Sequence, residues 1–200
     1  MSRTTHSSPA EVASALPRRR VLRAGIAVAA MPWLSPAPAS HLSVNAPPLP
    51  ARVAEAVPEL RAQGGGEMSF LGLPIYDGWY WGLGHQWTLT SPFALDLVYH
   101  RTLRGPLIAE RSVSEMKNLD LCTEFQLSRW SEAIHRIFPD VGSGDRITGL
   151  FLPPGTVRFF FNGKQIGEII DAAFARSFFG IWLDPRTSRA DFRLKLLGGP

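Results

Sequence analysis

The residues best suited to metal or nucleophilic chemistry are five histidines and one cysteine, and their spacing does not assemble a site. His6, His41, His85, His100 and His135 form no H-E-x-x-H pattern, and none stands beside a cysteine. His135 falls on the polar side of a helical run and is read as solvated. A single thiol, Cys122, makes neither an internal disulfide nor a multi-cysteine metal site, so it is read as a buried structural residue. The glycine-rich stretches "QGGGE" and "GSGD" lack the Lys-Ser/Thr or G-x-G-x-x-G context of phosphate loops and are read as turns. No G-x-S-x-G nucleophile elbow is present. Trp79, Tyr80 and Trp81 suit an aromatic binding box or, more simply, a sheet core. No catalytic residue, metal or cofactor is expected from these patterns.

Charge excludes a further class. The net charge of +4 over 200 residues comes entirely from the first 39, where Arg3, Arg18, Arg19, Arg20 and Arg23 face only Glu11. The remainder is formally neutral. A neutral domain without a basic run lacks the phosphate-neutralising charge on which nucleic-acid affinity rests, so no nucleic-acid partner is expected.

The opening "PRRRVLRAGIAVAAMPWLSPAPAS" has the order of an export signal: paired arginines, a short apolar run and a small-residue site. Arg18 and Arg19 fit the twin-arginine type, with cleavage after Ala39 and a periplasmic destination. The apolar run Ala24 to Leu34 is too short for a stable membrane span, and no cysteine follows it to accept a lipid. Residues 40–52 read as a Pro-rich leader and residues 53–200 as one domain.

Within that domain, Asn162-Gly163 is the preferred pair for a two-residue hairpin turn, because both positions need positive φ. The predicted hairpin, Thr156 to Ile170, pairs Phe161 with Lys164, Phe159 with Ile166 and Val157 with Glu168. Asp171 then caps a helix whose Phe174, Phe178, Ile181 and Trp182 recur at helical spacing, with Ala175, Phe179 and Leu183 widening the apolar arc. Such a helix is buried over most of its circumference. Alternation predicts strand from Glu67 to Gly82, broken near Pro74, and further strands at Phe93 to Tyr99 and Arg146 to Leu152. Thr123 and Gln126 form a capping box ahead of a helix that Pro139 stops, while Ser188 and Asp191 open a last helix closed by Gly198. Strands in neighbouring hairpins and helices in separate blocks predict an α+β domain with an antiparallel sheet.

The stretches "YDGWYW", "LDLVYHR", "FPDVGSGDRITGLFLPPGTVRFFFNGKQIGEIID" and "FARSFFGIWLDPRTS" resemble the chalcone isomerase-like domain, in its bacterial exported branch. The resemblance covers about Val53 to Leu197, and it implies an open-faced β-sandwich, a large antiparallel sheet with helices layered on one face. Plant enzymes of the family close a flavanone ring with an arginine, threonines, a tyrosine and an asparagine in a cleft between sheet and helices. Here Leu71 and Ile181 fall at the threonine positions, and Arg61 is the nearest counterpart of the arginine. The resemblance therefore implies a non-catalytic member whose cleft, lined by Leu71, Leu73, Ile181 and Trp182, takes a fatty acid or other small apolar ligand. Tyr99 and Arg101 are the expected donors to a carboxylate head. An intramolecular lyase or isomerase, and a structural or partner-binding periplasmic protein, stand as the alternatives.

Overall fold

The structure is a computed structural model and describes residues 46–199; the predicted signal, residues 1–39, lies outside the described residues. Six strands follow one another in space as they do in sequence, all antiparallel: β1 (Arg61–Phe70), β2 (Leu73–Gly82), β3 (Phe93–Tyr99), β4 (Arg146–Leu152), β5 (Thr156–Phe161) and β6 (Lys164–Ile170). Five helices accompany them: α1 (Ala51–Ala56), α2 (Gly105–Asn118), α3 (Glu124–Ile137), α4 (Ala172–Leu183) and α5 (Ala190–Leu196). The class is α+β, as alternation and blocking predict.

Side-chain alternation sorts the strands onto two cores. Leu95, Leu97, Ile147, Phe151 and Phe159 pack with helices α2 to α5, whereas the intervening Ala94, Leu150 and Phe160 pack with Val53, Val57 and Leu60 around α1. The three phenylalanines ahead of Asn162 thus serve two faces. Phe159 meets Phe138, Phe174 and Phe178 at centroid distances of 5.3, 6.3 and 5.2 Å, and Phe160 belongs to the outer core. One outer-face polar cluster is also sealed. Asp96 is fully buried, accepting from Thr148 Oγ1 at 2.7 Å and from Arg146 Nε at 2.7 Å, while Arg146 Nη1 reaches the carbonyl of Pro48 at 2.9 Å.

Local signals explain the best-formed elements. Asn162 and Gly163 hold φ of 48° and 81°, both in the left-handed region the turn requires. Asp171 Oδ1 accepts from the backbone N–H of Ala173 and Phe174 at 2.9 and 3.1 Å, and its Oδ2 accepts from Trp130 Nε1 at 3.0 Å, so one carboxylate caps α4 and ties α3 to it. The Thr123–Gln126 capping box is formed in both directions.

Four expectations are corrected. The hairpin register starts at Phe161–Lys164 but slips at a bulge, so Phe159 pairs with Gly167 and Val157 with Ile169. The stretch Glu67 to Gly82 is itself part of a hairpin, turned at Leu71-Gly72 with φ of 51° and 76°. "QGGGE" is strand, because α5 lies so close to β1 that the carbonyl oxygens of Lys195 and Leu196 occupy the space of a Cβ at Gly64. Cys122 is half-buried, with burial pushing its thiol pKa up.

Candidate functional site

A cavity of about 310 Å³ lies between the sheet and helices α2 and α4. Tyr76, Leu97, Tyr99 and Ile147 form its sheet wall, and Phe178, Ile181 and Trp182 form its α4 wall. Three of the six residues expected at the cleft are therefore brought together: Tyr99, Ile181 and Trp182. Leu71, Leu73 and Arg101 are not. Leu71 occupies the β1–β2 turn, Leu73 begins β2 beside it, and both are exposed. Arg101 follows the end of β3, so it no longer shares the inward face that Tyr99 closes. The placement of Leu71 at a strand threonine position fails with this, since residue 71 is outside both strands. Arg61 is also elsewhere, donating to the carbonyls of Pro58 and Leu60 at 2.8 and 2.9 Å at the opposite end of β1 from Met68 and Phe70, which line the cavity.

The third wall is α2, which sequence reasoning missed. Its inward face carries Ile108, Ala109 and Met116, but also Ser112 and Glu115, both buried. Two polar residues within the apolar stripe hide the helical period. Ser112 is satisfied within the helix, donating to the Ile108 carbonyl at 2.9 Å. Glu115 Oε1 pairs with Arg111 one turn back, and its Oε2 accepts from Ser188 Oγ at 3.0 Å. Both carboxylate oxygens are engaged, and through them α2 is linked to the segment between α4 and α5. Arg111, Ser112, Glu115, Ser188 and Arg189 all line the cavity.

Deeper groups are neutral. Trp182 Nε1 donates to Tyr76 Oη at 2.9 Å, and burial pushes the Tyr76 phenol up to about 12. Burial drives the Tyr99 phenol higher still, with its ring edge-on to Tyr76 at 5.7 Å. Neither phenol exchanges protons readily near neutral pH. At the rim the Arg189 guanidinium stands 5.5 Å over the Phe70 ring, and its Nε is buried with no hydrogen-bond partner among the described residues. Arg111 and Arg189 face one carboxylate, Glu115, which leaves one positive charge in excess at the mouth. The arrangement suits an apolar body inside and an anionic head at the opening.

A second cluster sits away from the cavity. Glu67, Asp77 and His100 come from three neighbouring chain segments, and their ligand atoms lie within 4.8 Å of one another. His100 Nε2 is 3.2 Å from Asp77 Oδ2. Motif spacing along one segment could not have shown it, because only the sheet register brings the three together.

Comparison with known proteins gives the architecture a family setting. A family model described as chalcone isomerase-like matches residues 112–198, from the middle of α2 to the end of α5. An uncharacterized protein of Haemophilus influenzae is 26% identical over 138 residues, covering 62% of this chain and 67% of that one. Among solved structures, an Arabidopsis thaliana fatty-acid binding protein superposes with a TM-score of 0.53 at 12% identity, covering 70% of this chain and 87% of that one. At that identity the likeness speaks to fold alone.

Proposed function

Starting from a chain that is chalcone isomerase-like in fold and in its 112–198 sequence, we propose an exported, non-catalytic protein that holds a small apolar ligand with an anionic head, a fatty acid being the leading candidate. The observation that carries this reading is the cavity itself. It is apolar over most of its wall, at the low end of the roughly 300–1,000 Å³ range of small-molecule pockets, and it bears excess positive charge only at the mouth. Its size favours one acyl chain over a two-chain lipid. The fatty-acid binding named for the Arabidopsis neighbour supports the same ligand class. Arg189, with Arg111 beside it, replaces Arg101 as the donor to the head group. Lyase chemistry fits less well, since Glu115 has both oxygens occupied and the phenols of Tyr76 and Tyr99 are held neutral.

The test is a melting-temperature series with fatty acids of graded length. A ligand bound only by the native state raises the melting temperature with concentration, by about 2.7 kcal/mol of stability at a hundredfold excess over Kd. Arg189→Gln should weaken the response to the acid and leave the response to the matching alcohol unchanged. No shift at any length, with no ligand in native mass spectra, sinks the reading. Export rests on "PRRRVLR" and the A-P-A site, and replacing Arg18 and Arg19 by lysine should trap the precursor in the cytoplasm.

A further inference from the structure

One residue of the β1–β2 hairpin breaks two local rules at once. Leu71 holds φ 51°, a conformation that glycine, asparagine and aspartate tolerate and leucine does not. It is also 86% exposed, so the isolated chain recovers nothing from burying it. A local rule broken without compensation inside the molecule directs attention to a contact outside it. Leu71 has company: Phe70 is 49% exposed, Leu73 54% and Leu107 46%. Phe70 and Leu107 are also cavity walls, so the exposed patch and the cavity mouth are continuous.

The surrounding charge selects the partner. Arg101 and Arg104 are exposed on either side of Leu103, another cavity residue, and neither is in an ion pair among the described residues. The Arg111 side chain is 61% exposed despite its contact with Glu115, and Arg189 covers Phe70. Against these stand Glu110, exposed one turn along α2 from Leu107, and, lower on the hairpin and alternating away from the cavity-lining Met68 and Tyr76, the carboxylates Glu67 and Asp77, of which Asp77 lies 3.2 Å from His100 Nε2. An apolar tip with guanidinium groups along its cavity side matches an interface where aliphatic side chains enter the acyl boundary and cations meet phosphates. No helix among the described residues is long and apolar enough to cross a membrane, so contact of this kind would be interfacial. We infer that the β1–β2 tip and the start of α2 form a docking surface for an anionic phospholipid bilayer, with the cavity mouth turned toward it. Docking stands independently of the ligand. Resting on the ligand reading, it further gives an apolar molecule a path between bilayer and cavity that avoids water.

The experiment measures partitioning of the full chain onto vesicles of phosphatidylglycerol and phosphatidylethanolamine, and onto phosphatidylcholine vesicles, with no fatty acid added. Wild type is compared with Leu71→Asn and with the pair Arg101→Ser, Arg104→Ser, so that the N-terminal arginines contribute equally in every arm. Asparagine accepts the turn conformation, so Leu71→Asn folds. It should partition about tenfold more weakly, the effect of withdrawing one aliphatic side chain from an apolar phase. The arginine pair should weaken binding to the anionic vesicles by roughly tenfold or more and leave phosphatidylcholine unaffected. A Leu71→Trp variant should gain fluorescence that bromine-labelled acyl chains quench beyond the wild-type level. Equal partitioning of wild type and Leu71→Asn, or an added indole that is not quenched, overturns the inference. So does a lipid-free dimer that Leu71→Asn converts to monomer, which would identify a second copy as the occupant.

Discussion

The two outer hairpins use the same turn and treat it in opposite ways. At β5–β6 the turn residues have φ of 48° and 81°, and at β1–β2 they have φ of 51° and 76°. The first turn is Asn-Gly, and its asparagine is fully used. Asn162 Nδ2 donates to Asp145 Oδ1 at 2.8 Å, its Oδ1 accepts from the Arg146 N–H at 2.9 Å, and the bond to Asp145 holds that carboxyl below its usual range. Behind it, Phe159 and Phe178 interlock at 90° with centroids 5.2 Å apart. The second turn is Leu-Gly, makes no side-chain bond, and has an open cavity behind it. One end of the sheet has turn chemistry and packing in agreement, and the other has relaxed both. A chain that relaxes them together has kept that end for something other than stability.

Alkali should break the difference most completely. All three tyrosines, Tyr76, Tyr80 and Tyr99, have pKa values raised by burial, with Tyr76 and Tyr80 at about 12. Because the fold favours the neutral phenol, the stability this represents is full below pH 10 and is lost as pH rises from 10 through 12. Two pH units at Tyr76 alone correspond to about 3 kcal/mol. Tyrosinate absorbance should therefore appear in one cooperative step that coincides with loss of circular dichroism. Titration of Tyr76 or Tyr99 by itself near pH 10 would reveal a wetter cavity than the one described.

Next in size is Phe159→Ala, which empties the closed end and should cost about 3–5 kcal/mol by chemical denaturation, against almost nothing for Leu71→Ala. Equal losses would erase the contrast. Asn162→Leu writes the second turn into the first hairpin, adding the strain of a left-handed leucine and removing two hydrogen bonds, for a loss of about 1–3 kcal/mol. The smallest effect has the opposite sign. Leu71→Asn relieves that strain and should stabilise the protein by under about 1 kcal/mol. A Leu71→Asn variant that melts lower than wild type would show that the leucine has an intramolecular role.

The closed end was legible because each of its elements is announced locally. Asn162-Gly163, Asp171 and the Thr123–Gln126 pair each fix a boundary through their own bonds. The bulge near Ile166 was not legible, since nothing in "KQIGE" distinguishes a paired residue from an extra one. At the open end, sequence patterns misled for physical reasons. Leucine is a poor turn residue, so the Leu71 turn read as strand, and a glycine run in which Gly64 and Gly66 admit α5 and Gly65 admits the Trp79 ring read as a turn. Helix α2 went unseen because Ser112 and Glu115 stand where core residues would mark its period. Tyr99, Ile181 and Trp182 could be placed at the cavity, whereas Arg111, Glu115 and Arg189 required the fold to bring them together.

The bond from Arg146 Nη1 to the carbonyl of Pro48 spans 98 residues, and Val53 and Val57 reach Phe160 across a comparable length of chain. Contacts so distant in sequence form slowly, because a long loop must close before any of them is made. During synthesis α1 has no complete partner until β5 has emerged. The outer core is thus completed after most of the chain exists, and a nascent chain that stops short of Phe160 leaves Val53 and Val57 covered, among the buried strand residues, only by Ala94 and Leu150.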